Sequence, residues 1–355
     1  MPPQILRRDF ILGAAATAAA GCTHTTHQAI QPAATDWTRA KPPNSSAVLP
    51  LVQLLAQLDT TSLIAVHRGS VIASYGDERL NSYLASARKS LVSMIFGASV
   101  ARGAINLDAT LESIGFDDYG GLLPIERTAT IRHLLMARSG VYHRAANLGD
   151  ASDRAPPRGT VHPGEYFLYN NWDFNALGAI FEKLTGRSLY QAFAEDIAGP
   201  IGMQDWDMSL QPVRNDTGES AHPAQHFVLS TRDMARVGAL MLQGGRWDRE
   251  QVLPRSWVRL TTKPVTPAAE VARTSPFVDG LGYGYLWWIF DPAADGDPGL
   301  KGGYTASGAL GQFITVLPAL DLVVAHKTQA PSRLNVSPQQ YFDEVLPAAI
   351  RLVRR

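Results

Sequence analysis

The sequence predicts an α+β fold in which one antiparallel sheet is built from both ends of the chain. Two β-rich runs lie near the beginning, within residues 62–76, and three more lie in the last quarter, at 283–290, 311–318 and 320–328. The segment between them, roughly 95–275, has a mainly helical pattern. Because strands and helices do not alternate along the chain, a parallel sheet is disfavoured. We therefore expect helices to flank the sheet and a largely helical region to be inserted into it.

Local signals support the individual elements. Arg68-Gly69 separates the first two β-rich runs and predicts a hairpin turn. Gly186 and Gly244-Gly245 stand where helices are expected to end. Apolar residues recur at helical spacing in six segments. These segments are 51–58, 86–103, 130–137, 170–186, 229–245 and 338–353.

The composition is that of a globular protein with no dominant charge. The chain has 355 residues, of which 45% are hydrophobic, and its 32 basic residues balance its 32 acidic ones. No net field therefore favours nucleic acid as a partner. Only six of the basic residues are lysines, so each lysine can be considered individually.

The first 22 residues resemble an export signal. Arg7-Arg8 precedes a weakly apolar, alanine-rich run that is too short to span a membrane, as in bacterial twin-arginine (Tat) signals. Cys22, the only cysteine, ends this run after Ala19-Ala20-Gly21 and resembles the lipidated residue of a lipoprotein. The alternative is cleavage after an Ala-x-Ala site, with Cys22 incidental. We expect a periplasmic protein that is held at the membrane by a lipid on Cys22.

Residues 23–50 are rich in Thr, Pro, Ala and Ser and lack apolar periodicity, so they predict a flexible tether. His24 and His27 lie in this stretch, and solvated side chains are a better interpretation of them than metal ligands. The tether predicts one folded domain over residues 51–355.

Ser86 and Lys89 are the first candidates for chemistry. Ser86 is the only serine that stands three places before a lysine, and both residues are at the start of a predicted helix. Residues three apart share one helix face, and the positive end of a helix favours a developing alkoxide. A lysine that is partly buried near other cations loses proton affinity and can act as a base. The alternative is that Ser86 caps the helix and Lys89 is exposed.

Tyr169 and Asn171 form the second candidate element. They belong to the only Tyr-x-Asn sequence in the chain, immediately before the predicted helix 170–186. As a catalytic group, Tyr169 would exchange a proton with Ser86 and the leaving group, and Asn171 would hold Lys89 and a substrate carbonyl. As a purely structural element, Asn170 or Asn171 would cap the helix and Tyr169 would pack beneath it.

The order of these elements resembles a known enzyme family. Ser-x-x-Lys, then Tyr-x-Asn about eighty residues later, then a glycine-rich strand near the C-terminus is similar to the class C β-lactamase and penicillin-recognising serine hydrolases. Within this family, the sequence most resembles the branch of 6-aminohexanoate-dimer hydrolase and related esterases. Matching stretches include "SARKSLVSMIFGASVARGAINLDATL", "HPGEYFLYNNWDFNALG" and "YTASGALGQFITVLPALDLVV". The resemblance extends from about residue 60 to the end and implies a β-lactamase/transpeptidase-like fold.

The resemblance also implies roles for individual residues. Ser86 would be the acylated nucleophile, Lys89 its activating base and Tyr169 the acid or base at the leaving group, with Asn171 positioning Lys89 and substrate. On the strand that lines the site, Ala306-Ser307-Gly308 replaces the family's Lys-Thr-Gly. Ser307 and Gly308 would contact substrate, and the backbone N–H groups of Ala309 and Ser86 would form the oxyanion hole. Lys301 lies too early to replace the strand lysine, and we interpret Lys301-Gly302-Gly303 as a turn.

These observations predict an exported serine hydrolase that cleaves an ester or linear amide bond through an acyl-enzyme. We expect a small-molecule ester or amide or a short peptide as substrate, and no cofactor. The missing strand lysine removes the anchor for a β-lactam carboxylate. The alternatives are a β-lactamase or D-amino-acid peptidase of the same family and a non-catalytic envelope lipoprotein that binds peptidoglycan.

Overall fold

The computed structural model describes residues 37–274, 280–290, 297–329 and 335–354. The chain divides into two units, 1–31 and 32–355, and all described residues belong to the second. The twin-arginine pair, Cys22, His24, His27 and the first part of the tether lie outside these ranges. In the part of the chain that is described, no helix is both long and apolar enough to cross a membrane.

A seven-stranded antiparallel sheet forms the centre of the described fold. Its strands come from the two ends of the chain, and the predicted α+β class is confirmed. In chain order, the strands are β1 (Ser62–His67), β2 (Ser70–Gly76), β9 (Leu281–Tyr283), β10 (Trp288–Phe290), β11 (Tyr304–Gly308), β12 (Gln312–Leu317) and β13 (Leu322–Lys327). Their order across the sheet is β2-β1-β13-β12-β11-β10-β9.

Three short strand pairs lie outside the seven-stranded sheet. They are β3 (Ser82–Tyr83) with β6 (Val228–Leu229), β4 (Val213–Arg214) with β5 (Ala224–Gln225), and β7 (Arg246–Trp247) with β8 (Glu250–Gln251).

Most of the helices precede the last five strands. The first six are α1 (Val48–Gln57), α2 (Arg88–Ala101), α3 (Leu111–Ile114), α4 (Pro124–Arg127), α5 (Ile131–Leu135) and α6 (Asn171–Thr185). The others are α7 (Leu189–Phe193), α8 (Thr231–Leu242), α9 (Arg255–Thr261), α10 (Ala268–Thr274), α11 (Pro338–Gln340) and α12 (Leu346–Arg351). A π-helical segment, Tyr341–Val345, joins α11 to α12, so the predicted C-terminal helix is one continuous rod with a bulge.

Helices cover both faces of the sheet. Successive side chains of a strand point to opposite faces, and every residue of β12 is buried. Phe313 stacks on Tyr341 of the C-terminal helical segment, with ring centroids 3.9 Å apart. The next residue, Ile314, points to the opposite face, where it approaches Gly238 of α8 together with Val323. A side chain at position 238 would collide with Val323, so this glycine lets α8 pack closely against the sheet.

The predicted strand 283–290 is instead a hairpin, with β9 and β10 paired through Tyr283 and Trp288. Two backbone features cause the break. Gly284 lies so close to the Thr261 carbonyl that a Cβ would be 2.2 Å from its oxygen, and Leu286 has a positive φ of 61°. The aromatic run satisfies a strand pattern, but its middle residues form the turn.

The fold also begins earlier than the predicted boundary at residue 50. Thr38 and Ala40 exchange backbone hydrogen bonds with Val71 of β2, and the Asn44 N–H donates to the Leu352 carbonyl. Ala47 is buried in the core. Residues 37–50 are therefore part of the domain rather than tether. Backbone hydrogen bonds of this kind need no particular side chains, so no apolar periodicity marks them in the sequence.

Candidate active site

Ser86 lies on a short 3₁₀ turn, Ala85–Ala87, that leads directly into α2. Ala85 has a positive φ of 47°, a strained conformation for a residue with a side chain. Neither the turn nor α2 is capped by the Ser86 hydroxyl, because the N-cap positions are Leu84 and Ala87. The alternative interpretation of Ser86 as a helix cap is therefore wrong.

The three predicted catalytic side chains meet. Lys89 Nζ donates to Ser86 Oγ at 3.1 Å and to Tyr169 Oη at 2.7 Å. Lys89 is 2% exposed and Tyr169 is 4% exposed, whereas Ser86 is half-buried. The lysine thus connects two hydroxyl groups, and the nucleophile candidate is the member of the set that a substrate can reach.

The surroundings of Lys89 favour its neutral form. Burial, and then the positive charge of Arg88, hold the pKa of Lys89 well below its ordinary value, while Asp150 acts in the opposite direction. Its ammonium group lies 4.1 Å from the ring centroid of Tyr169 and 4.4 Å from that of Phe174. Among the described residues, no carboxylate forms an ion pair with Lys89. The amine can therefore accept a proton.

Tyr169 is held in the opposite protonation state. Burial raises its pKa above that of an ordinary tyrosine, although the hydrogen bond with Ser86 lowers it. Trp288 stacks on the ring with centroids 5.3 Å apart and 29° between the planes, and Tyr283 meets it edge-on. Trp288 was not among the predicted site residues, because the sequence alone does not distinguish an aromatic residue that lines an active site from one that packs in the core. The protonated hydroxyl is available as a donor.

Asn171 does not form the hydrogen bond to Lys89 that its predicted role requires. It begins α6, and its Nδ2 donates to the Leu148 carbonyl at 3.1 Å. Its backbone N–H donates to Asp150 Oδ2 at 2.8 Å, and its Oδ1 is buried without a hydrogen-bond partner. The helix cap is the preceding residue, Asn170, whose side chain accepts from the Trp172 N–H. Asn171 therefore fixes the 147–150 loop to the start of α6.

Strand β11 approaches the nucleophile turn very closely at Gly308. A Cβ on Gly308 would lie 2.4 Å from the Leu84 carbonyl oxygen and 2.8 Å from the Ala87 nitrogen. Only glycine fits between these two backbones. Ser307 is nearly buried on the same strand, and Ala309 is exposed in the turn that follows. The structure thus brings the predicted substrate strand next to the turn that holds Ser86. The sequence spacing alone does not reveal this proximity.

Lys301 lies in the exposed turn before β11, where Gly302 has a φ of 71°. It is therefore outside the strand position that the family's lysine occupies, as the sequence predicted.

The chain is similar to known proteins in sequence and in structure. The family model described as Beta-lactamase matches residues 51–336. Among solved structures, a protein from Bacillus anthracis described as a 6-aminohexanoate-dimer hydrolase has a TM-score of 0.65 at 20% identity and covers 90% of this chain and 89% of its own. EstCE1, described as a hydrolase with promiscuous acyltransferase activity, has a TM-score of 0.61 at 16% identity and covers 86% and 97%. At these identities the likeness shows the fold, and the predicted β-lactamase/transpeptidase-like fold is confirmed.

A curated relative matches in sequence over a shorter region. Monacolin J acid methylbutanoyltransferase from Aspergillus terreus is 31% identical over 36% of this chain and 38% of its own length. The chain thus aligns with little more than a third of that relative. The family model, in contrast, covers most of the chain, including Ser86, Lys89, Tyr169 and β11. The chain belongs to the beta-lactamase family, and the resemblance found in its sequence is confirmed.

Proposed function

We propose that this protein is a serine hydrolase that cleaves an ester or linear amide bond through an acyl-enzyme on Ser86. The observation that carries the proposal is the buried contact of Lys89 Nζ with both Ser86 Oγ, at 3.1 Å, and Tyr169 Oη, at 2.7 Å. A binding protein has no need of a buried lysine whose partners are two hydroxyl groups. A serine nucleophile needs such a group to take its proton.

The lowered pKa of Lys89 and the raised pKa of Tyr169 support the following division of roles. Neutral Lys89 takes the Ser86 proton as Oγ attacks the substrate carbonyl. When the tetrahedral intermediate collapses, Tyr169 donates its hydroxyl proton to the leaving oxygen or nitrogen, and Lys89 restores that proton through the 2.7 Å contact. Water then attacks the acyl-enzyme by the same steps in reverse. Lys89 and Tyr169 titrate as a coupled pair, so the measured pKa values belong to the pair.

The oxyanion is assigned to the backbone N–H groups of Ser86 and Ala309. The close passage of Gly308 beside residues 84 and 87 supports this assignment, since it puts the start of the 309–311 turn next to the nucleophile. Such donors contribute about 3 kcal/mol each to transition-state stabilisation. Ala306 stands in place of a cationic residue on this strand. The absence of that charge favours uncharged esters and amides over β-lactam acids.

A serine-directed fluorophosphonate probe tests the proposal most simply. We expect the wild-type protein to be labelled and Ser86→Ala not to be labelled. The substrate class follows from a panel of p-nitrophenyl esters, a linear amide oligomer and nitrocefin. Hydrolysis of esters with no turnover of nitrocefin is expected, whereas dominant nitrocefin turnover would support a β-lactamase. An unlabelled and inactive wild-type protein would instead support the non-catalytic envelope protein.

Acyl transfer is the second candidate activity, and the partial match to a methylbutanoyltransferase favours it. In that reaction an alcohol, rather than water, takes the acyl group from Ser86. Adding a short alcohol to an ester hydrolysis assay distinguishes the two outcomes, because a transferase forms a new ester in proportion to the alcohol. A strict hydrolase releases only the free acid.

We also propose that the protein is exported through Arg7-Arg8 and anchored by a lipid on Cys22, which the sequence pattern alone supports. Replacing both arginines with lysine is expected to leave precursor in the cytoplasm. Mass spectrometry of the mature N-terminus tests the anchor, and a soluble periplasmic product without added lipid mass would exclude it.

A further inference from the structure

Arg88, the residue before Lys89, is a buried cation that has no acidic partner. It is 1% exposed and stands in the first turn of α2. Its Nη2 donates to Asn175 Oδ1 at 3.2 Å, and its Nη1 has no hydrogen-bond partner. Within the described ranges, no carboxylate forms an ion pair with it. A guanidinium does not lose its proton in proteins, so this charge is permanent.

Such an arrangement is costly for a purely structural residue. A buried charge without a counter-ion pays a desolvation penalty that one hydrogen bond to a neutral amide does not offset. A methionine would fill similar space without that penalty. Buried polar atoms without partners deserve an explanation, and charges of this kind cluster where a protein shifts the proton affinity of a neighbour.

The titratable residue next to Arg88 in the sequence is Lys89. Arg88 and Lys89 leave the same turn of α2 and contact consecutive residues of α6: Arg88 reaches Asn175, and the Lys89 ammonium lies 4.4 Å from the Phe174 ring. Two cationic side chains thus enter one buried region. Since the guanidinium cannot become neutral, Lys89 is the member of the pair that releases its proton.

We propose that Arg88 is a positioning residue for the base: its fixed charge keeps Lys89 in the unprotonated form that accepts the Ser86 proton. This inference rests on the proposed function, because it names what regulates the reactivity of that site. It is supported by the lowered pKa of Lys89, for which the Arg88 charge is the largest cause after burial.

The other titratable groups around the pair do not replace this charge. Burial lowers the pKa of His226 to about 2, so the imidazole is neutral. Asp150 raises the proton affinity of Lys89 and therefore opposes Arg88. The buried Asp173 in α6 has a raised pKa and receives a hydrogen bond from Ser139 at 2.5 Å. The tyrosines near Arg88 are held protonated by burial: Tyr83, Tyr169 and Tyr190.

The test uses the full protein with Arg88→Met and Arg88→Gln. Methionine keeps the bulk, and glutamine keeps a donor for Asn175, so at least one variant retains local packing. Lysines labelled with ¹³C at Cε report the titration of Lys89 directly, with Lys89→Arg used to assign its signal. We expect this titration to move up by about 1 to 2 pH units in both variants, as for loss of a nearby charge in a partly screened interior.

The acidic limb of the kcat/KM profile for an ester should move up in parallel, and the activity should recover to within about threefold at high pH. Arg102→Met is the matched control: it removes an arginine at the far end of α2 that pairs with Asp196 in solvent. That control should leave both curves unchanged. If the Lys89 titration in the Arg88 variants is the same as in the wild type, while activity falls equally at all pH values, Arg88 is merely structural and the inference is wrong. If the titration moves but the wild type acylates no substrate, the proposed function fails and the effect of Arg88 on Lys89 stands.

Discussion

Two lysines of this protein are buried to the same degree and do different work. Lys89 and Lys327 are 2% and 1% exposed, and burial lowers the pKa of both. Lys89 contacts the hydroxyl groups of Ser86 and Tyr169. Lys327, at the end of β13, donates to the backbone carbonyls of Ser82 and Leu229.

The partners make the difference. A neutral amine has two N–H donors and one lone pair. For Lys327, two backbone carbonyls use both donors, so the side chain connects β13 to the β3–β6 pair. For Lys89, the neighbouring hydroxyls can both accept and give protons. Burial and lowered proton affinity are thus shared by both lysines, and only the chemistry of the contacted groups marks a base.

The largest expected effect is the loss of catalysis when Ser86 or Lys89 is removed. Ser86→Ala and Lys89→Ala should each reduce kcat by about three to six powers of ten, and the double variant should be little worse, because the groups act as a unit. Steady-state kinetics with circular dichroism as a check on folding measure this. Lys183→Ala, which removes an exposed lysine of α6, serves as the control. Additive losses would show that the two residues act separately.

Tyr169→Phe should reduce kcat by about 10²- to 10⁴-fold, as for loss of a general acid. The ring remains, so the stacking with Trp288 and the contact with Lys89 are kept. Tyr283→Phe is the matched control, since it removes another hydroxyl from the same aromatic cluster. Equal activities of the two variants would contradict the role of the Tyr169 hydroxyl.

Gly308→Ala should reduce kcat by about 10²- to 10³-fold with a smaller change in KM, because the methyl group pushes β11 away from the nucleophile turn and displaces the Ala309 N–H. Gly302→Ala, in the exposed turn before the strand, changes a glycine with open space around it and should have little effect on the rate. A Gly308→Ala enzyme with normal kcat would exclude the proposed oxyanion position.

The smallest effect on rate is expected for Lys327. Lys327→Met should lower the free energy of unfolding by about 1 to 3 kcal/mol, because two buried carbonyls lose their donor, and should change kcat less than about threefold. The folded pKa of about 7 is below the unfolded value near 10.4. The unfolded chain therefore binds more protons between these values, and wild-type stability should rise with pH there, a rise that the variant lacks. Urea unfolding at several pH values measures the stability and its pH dependence, and steady-state kinetics measure kcat. A large loss of kcat at normal stability would contradict the structural role of Lys327.

Much of the site could be predicted because its chemistry is local in sequence. Ser86 and Lys89 are one helical turn apart, and Tyr169 precedes a well-marked helix. Residue type and spacing were therefore enough to predict these three residues, although only the structure shows that they are in contact. The remaining features depend on distant segments. Trp288 reaches Tyr169 through a hairpin that the sequence indicated as one strand, and the burial of Arg88 depends on α6. The Asn171 side chain turns toward a loop whose path no pattern encodes.

Trapping of the acyl-enzyme tests the central claim most directly. Wild-type protein is mixed with a p-nitrophenyl ester, quenched within the first turnover and digested with trypsin. We predict that the acyl mass appears on the peptide 80–88, which contains Ser82 and Ser86, that fragmentation assigns it to Ser86, and that Lys89→Ala slows its formation while Lys327→Met does not. An adduct elsewhere in the chain, or one formed equally fast by Ser86→Ala or Lys89→Ala, would contradict the account.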